Sequence, residues 1–250
     1  MTTKMRTKII YEDKEILVCY KPAGLAVQTA RIGQADMVSE LKNYLAASGE
    51  KNPYLGLVHR LDQPVEGLLV FGRTKGAAAS LSGQLEKGLL HKRYYAVVCG
   101  KPEQKSGEFV DYLQKTPDNK ARIVTEQVDA LQPQAEVSDA RKAVLQYNIV
   151  QSLEVQSVHR RGVEWISLAK IHIDTGRFHQ IRAQMSHGGL PLLGDQKYGD
   201  EASVGLSGHL GIKDVALCAC QLDFNHPVTG NAMHFSQPPQ GKAFSFFGIF

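Results

Sequence analysis

The apolar residues of this chain fall in short runs of strand length, and those runs do not alternate regularly with helical segments. KIIY and ILVCY flank the turn EDKE, and GLLVF, RYYAVVC, AVLQYNIV, WISLAKIHI and VALCACQLDF follow. Helical periodicity is confined to a few places. In Asp36–Ala47, Val38, Leu41 and Leu45 share a face behind Asp36, a residue suited to the N-cap. Lys75–Leu85 is Ala-rich, and Arg177–His187 reads as a third helix capped by Thr175 with Phe178, Ile181 and Met185 on its packed side. A doubly wound fold needs regular β-α alternation, so this pattern predicts an α+β fold with a mixed, mostly antiparallel central sheet and flanking helices. Residues 101–140, rich in Gln, Pro, Lys and Asp, read as a long excursion of turns and short strands within a single domain spanning 1–250.

Several functional classes fall away. No stretch approaches the ~18 apolar residues of a membrane span, and the N-terminus lacks the apolar core of a secretory leader. Cys19, Cys99, Cys218 and Cys220 sit inside apolar runs without zinc-type spacing, which predicts inert thiols, no metal, a reducing compartment and hence the cytoplasm. Gly67–Thr74 nearly matches a phosphate loop. Its four intervening residues are bulky and apolar, however, and Arg73 stands where that loop needs lysine. A formal charge of +4 permits a polyanionic partner without requiring one.

Three polar segments carry chemistry. Val58–Pro64 (VHRLDQP) joins two apolar strands, and in isolation is also an ordinary Asx-type turn. Asp174–Arg182 (DTGRFHQIR) sets Arg, His and Gln at a helix start, where a phosphate is well received; a solvated helix face has the same composition. His91–Val97 (HKRYYAV) interleaves cations with aromatics, as a strand contacting nucleic acid does, or as a strand with packed tyrosines and exposed bases does.

Together these segments resemble the RluA-type pseudouridine synthases. The family's H-R-L-D stands at His59–Asp62 and G-L-L-V at Gly67–Val70. Its K-x-Y-x-A matches the segment Lys92–Ala96, T-G-R-x-H-Q-I-R matches Thr175–Arg182, and G-D-x-x-Y-G matches Gly194–Gly199. The likeness runs from about Ile9 to about Pro238 in the family's order. It implies the pseudouridine synthase fold with a catalytic cleft and isomerisation of uridine in ribosomal or transfer RNA, a reaction that needs no cofactor. A monomer is expected, and because the likeness begins near residue 9, the S4 RNA-binding domain that many relatives carry ahead of the catalytic one is not expected here.

By the same resemblance Asp62 is the nucleophile, Tyr94 stacks on the uracil and Arg182 opposes the desolvation of the carboxylate. An adjacent guanidinium lowers such a pKa by ~1–3 units. Arg60 is expected to fill the space left by an extruded uridine or to hold its phosphate. His59, Lys21, Lys92, Arg177, His179 and Gln180 are expected RNA contacts. One departure is notable: where the family carries a hydroxyl pair before Gly67, this chain has Val65 and Glu66. An added carboxylate on an RNA-facing loop would repel phosphate. The alternatives are an inactive RNA-binding relative and a carboxylate glycosidase. The latter normally needs a second paired acid.

Overall fold

The computed structural model describes residues 5–31, 33–124, 139–156 and 163–249. The chain divides into two compact units, 1–93 with 218–241 and 94–217 with 242–250. Within both, strands outnumber helices and most pairings are antiparallel, as an α+β fold requires.

In the first unit, β1 (Lys8–Glu12) and β2 (Ile16–Lys21) form the hairpin expected around EDKE. Asp13 closes it, one carboxylate oxygen accepting from the Glu15 and Ile16 amides. β2 pairs antiparallel with β4 (Glu66–Gly72), from Ile16 opposite Gly72 to Lys21 opposite Gly67. The short β3 (Gly56–Leu57) lies antiparallel against the far end of β4. β10 (Leu217–Asn225) runs parallel to the start of β4 through Cys218 and Ala219, and its later residues Gln221–Asn225 pair antiparallel with β11 (Ala232–Ser236). Every residue of β2 and β4 is buried. Their unbroken apolar runs therefore have both faces covered, rather than one face in water. Gly67 permits the parallel contact: at φ +133° it sits so near β10 that a Cβ would lie 2.5 Å from the Ala219 amide nitrogen.

Two helices belong to this unit. α1 (Met37–Ala47) starts where Asp36 accepts from the Ser39 amide, and buries Met37, Val38, Leu41 and Leu45. α2 (Lys75–Glu86) is capped by Thr74, which accepts from Ala77, and its small Ala77 and Ala78 let the helix approach β4 closely at Gly72.

The chain passes to the second unit within β5 (His91–Cys99), between Arg93 and Tyr94. There the strand order is β5, β9 (Val163–Ile173), β8 (Arg141–Gln156), β6 (Ser106–Lys115), β7 (Ala121–Val124). The supposed excursion is thus partly regular. β6 is a ten-residue strand paired along its length with β8, and a turn through Asn119, at φ +56°, leads into β7. The remainder of that segment, 125–138, lies outside the described residues.

Among the described residues the second unit also holds α3 (Gln180–His187), α4 (Glu201–His209) and a 3-10 helix, Lys242–Phe247. α4 was not legible in sequence. The apolar C-terminal tail packs on this unit through Phe244 and Phe247, whereas Phe246 and Ile249 remain exposed.

Candidate active site

In the first unit Asp62 stands half-buried on the connection from β3 to β4. The turn is closed by its own backbone, the Val65 amide donating to the Asp62 carbonyl at 3.0 Å. Residue 63 is braced from the end of β2. The Gly24 amide donates to the Gln63 carbonyl at 2.9 Å, and Lys21 Nζ donates to the same oxygen at 3.0 Å. Lys21 also donates to the carbonyls of Leu25 at 2.7 Å and Pro22 at 3.1 Å. It is wholly buried. The expectation that Lys21 touches RNA is therefore corrected. An ammonium has three protons, and here three carbonyls receive them. Its part is to hold the loop that carries Asp62.

His59 is corrected in the same way. Its ring is buried, and Nε2 accepts from the Val70 amide of β4 at 3.3 Å, which places the proton on Nδ1. Burial drives the imidazole pKa well below its usual value, and the positive charge of Lys92 drives it further the same way. Lys92, on the first residues of β5, is itself pulled down to about 8 by burial. Arg60 projects into solvent and donates to Gln28 Oε1 at 3.3 Å, a position open to RNA.

Glu66 does not face RNA either. It is buried, and Oε1 accepts from the amides of Gln240 at 3.1 Å and Gly241 at 2.8 Å. Burial raises its pKa; the Gly241 and Gln240 amides, the Tyr20 hydroxyl and the Lys21 ammonium pull the other way. The departure from the family pattern thus ties β4 to the segment after β11.

In the second unit, Tyr94 on β5 is 5% exposed. Tyr95 turns to the opposite face, where Lys170 Nζ lies 5.7 Å from its ring centre. Arg182, on the first turn of α3, is 5% exposed and grips Asp195 with two bonds: Nε to Oδ2 and Nη2 to Oδ1, both 2.7 Å. Asp195 Oδ1 further accepts from the amides of Lys197 at 3.0 Å and Tyr198 at 3.2 Å. The Tyr198 ring lies 5.1 Å from the guanidinium carbon, and its hydroxyl meets His179 Nδ1 at 2.7 Å. Two of the matched motifs, Thr175–Arg182 and Gly194–Gly199, are therefore one bonded unit. The second motif was visible in the sequence, but nothing there showed that Asp195 partners Arg182. Gly194 is required at its head: at φ +82° a Cβ would collide with the Asp214 carbonyl oxygen.

The helix start also differs from expectation. α3 begins at Gln180, not Arg177, because His179 takes a left-handed conformation, φ 52°. Thr175 is no cap; its hydroxyl donates to Gln180 Oε1 at 2.8 Å and accepts from the Val144 amide. Gln180 is buried, its Oε1 accepting also from the Arg177 amide and its Nε2 donating to the Val144 carbonyl at 3.0 Å. That corrects Gln180 from an RNA contact to the fastener of this turn. Phe178 is 39% exposed and stacks on the His179 ring at 3.8 Å instead of packing inward. Arg177 is half-buried and spends Nε on the Lys142 carbonyl at 3.0 Å.

Among the described residues no group of three His, Cys, Asp or Glu side chains is disposed to hold a metal ion. No helix among them is long and apolar enough to cross a membrane.

The comparisons with known proteins agree with this geometry. Residues 15–187 match the family model described as RNA pseudouridylate synthase. The chain is 31% identical, over 97% of its length and 92% of the relative's, to tRNA pseudouridine synthase C of Yersinia pestis. It is 33% identical to ribosomal large subunit pseudouridine synthase D of Zymomonas mobilis, over 96% of this chain and 71% of that one. Among solved structures, human RNA pseudouridylate synthase domain containing 1 superposes with a TM-score of 0.73 at 17% identity. That match covers 96% of this chain and 86% of the other, and it speaks for the fold. A family model that spans the Asp62 turn, β5 and the Arg182 helix, together with relatives matched over nearly the whole chain, shows that this chain belongs to the RluA-type RNA pseudouridine synthases, isomerases that act on RNA.

Proposed function

We propose that the chain converts uridine to pseudouridine in ribosomal or transfer RNA, with Asp62 as nucleophile, Tyr94 against the uracil and Arg182 opposing desolvation of the carboxylate. The observation that carries the reading is the bracing of the Asp62 turn by a buried lysine that donates to three backbone carbonyls, that of Gln63 among them, and whose charge is felt by the buried Glu66 carboxylate. A buried ammonium in that position is costly. It makes sense where one half-buried carboxylate must keep a fixed place. The reaction breaks the bond from uracil N1 to ribose C1′ and forms one from C5 to C1′. The C5 proton leaves and N1 gains one, so atoms balance without a donor or oxidant. Burial of Tyr94 supports a stacking role, worth about 1–3 kcal/mol. Asp195 holds the Nε and Nη2 edge of Arg182 and so sets the direction of the guanidinium.

The same reading takes residues 1–250 as one catalytic domain that acts as a monomer in the cytoplasm. The relatives named above are a transfer RNA enzyme and a ribosomal RNA enzyme, and both substrate classes are carried forward. The test is a map of pseudouridines across total RNA in cells with and without this gene. The expected result is loss of a defined site that the native sequence restores and Asp62→Asn does not. An unchanged map overturns the reading, and RNA binding without pseudouridine formation by the native chain favours the inactive relative. Release of free uracil points to the glycosidase.

A further inference from the structure

Side chains alternate across a strand, so the antiparallel sheet of the second unit has two faces. One is closed by α3: Leu113, Ala121 and Ala143 pack with Ala183, and Gln184 donates to Asp111 Oδ2 at 2.7 Å. The register sets the neighbouring residues on the other face. There Tyr112 lies opposite Lys142 and Val110 opposite Val144, while Lys170 sits one strand over on β9. Tyr112 is 52% exposed and Val110 51%. Lys142 and Lys170 are exposed, and among the described residues neither meets a carboxylate at ion-pair distance. Glu108 and Asp174 share this face: Glu108 accepts from the uncharged Gln146 amide at 2.9 Å, and Asp174 meets His172 at 3.1 Å.

An exposed ring beside one lysine, Lys142, with a second, Lys170, six residues further along the same face at the level of Asn148 and Ser106, is poor material for a protein interface, whose core is depleted in lysine. It suits a nucleic-acid strand. A tyrosine on an open sheet gives a base a face to stack on, valine gives the sugar an apolar contact, and each lysine attracts a phosphate. We propose that this open face of β6, β8 and β9 is an accessory docking surface for single-stranded RNA. Tyr112 stacks on a base, and Lys142 and Lys170 hold the backbone. Arg182 and α3 occupy the other side of the same sheet, so the surface binds RNA beyond the reacting nucleotide. The proposal rests on the reading of the chain as an enzyme acting on RNA, and it adds to that reading a place where the substrate's flanking strand is held.

The test uses the full chain carrying Asp62→Asn, so that a labelled twelve-nucleotide oligouridine is bound without turnover. In that background Tyr112→Ala is expected to weaken binding by roughly five- to a hundredfold, the range of base–aromatic stacking, whereas Tyr112→Phe retains it. Lys142→Gln and Lys170→Gln each lower the slope of log affinity against log salt by about 0.7. The lysine variants change only exposed side-chain ends and carry the test if Tyr112→Ala misfolds. Placed in the native chain, the same substitutions leave turnover at saturating RNA unchanged. Equal binding by all variants overturns the proposal, as does a change confined to self-association or to peptide capture. If the native chain forms no pseudouridine, the enzymatic reading fails, while the oligouridine data still decide the docking surface.

Discussion

The guanidinium of Arg182 and the carboxylate of Asp195 meet edge to edge, with both bonds at 2.7 Å and side chains 6% and 1% exposed. The pair is buried in the second unit, and two further amides complete the coordination of Asp195 Oδ1. Removing one member of such a pair leaves the other charge without compensation. Asp195→Ala should therefore cost about 3–5 kcal/mol of folding stability, read from chemical denaturation. Arg182→Lys cannot reproduce the fork and should lose activity far more than stability. If Asp195→Ala unfolds at the same denaturant concentration as the native chain, the pair is not the anchor described here.

Lys21 offers a cleaner separation of binding from turnover. Lys21→Met keeps the length of the side chain but leaves the carbonyls of Pro22, Leu25 and Gln63 without their donor. Each buried acceptor left unmet costs about 1–3 kcal/mol, part of which the loop can recover by relaxing toward water. The Asp62 turn then loses its brace at residue 63. Turnover should fall at least tenfold with little change in RNA affinity, and the salt dependence of binding should keep its slope. A shallower salt slope would return Lys21 to the RNA interface.

What the sequence shows of this molecule follows from how local each feature is. The β2 and β4 runs, the Asp36 cap and the Ala-rich α2 are set by neighbouring residues, and all were readable. α4 was not, because its Ser, Gly and Ala residues make no apolar stripe. β6 was missed as a long strand because one of its faces is open to water and half its residues are polar. Lys21 reads as a surface cation beside a Pro-Gly turn; only the fold brings the Gln63 carbonyl, 42 residues away, to its ammonium. The start of α3 moved from 177 to 180 for a comparable reason. Gln180 takes the Arg177 amide and reaches across to Val144 on β8, a competitor the helix pattern does not reveal.

Glu66 tests whether the departure from the family pattern concerns RNA at all. Its Oε1 serves two amides in the 240–241 segment. Glu66→Gln keeps that acceptor and removes a charge that burial disfavours but that also attracts the buried Lys21, so the two effects offset and stability should change little. RNA affinity should not change. Glu66→Ala strands both amides and should destabilise by about 2 kcal/mol or more in thermal or denaturant unfolding. A gain in RNA affinity with Glu66→Gln would mean that the carboxylate does repel the substrate.

Lys92 and His59 make a pH-dependent pair within the first unit. Burial pulls Lys92 down to about 8 from an unfolded value of 10.5. Between those limits the unfolded chain holds a proton that the folded chain has released. Stability from this group therefore rises with pH across that window, by up to about 1.4 kcal/mol per pH unit. Below about 8 both states carry the charge, and its burial weighs fully against folding. Lys92→Met should thus be more stable than the native chain at pH 7, and its advantage should shrink steadily between pH 8 and 10.5. At the acid end the neutral His59 supports the fold above its unfolded pKa of 6.5 and withdraws that support as pH falls below it. Lys92 deepens the effect by repelling an imidazolium, so Lys92→Met should also soften acid unfolding below pH 6.5. Denaturant titrations at pH 5, 7, 9 and 10.5 read both limbs, and a constant difference between the two proteins across them would show that the ammonium is not desolvated.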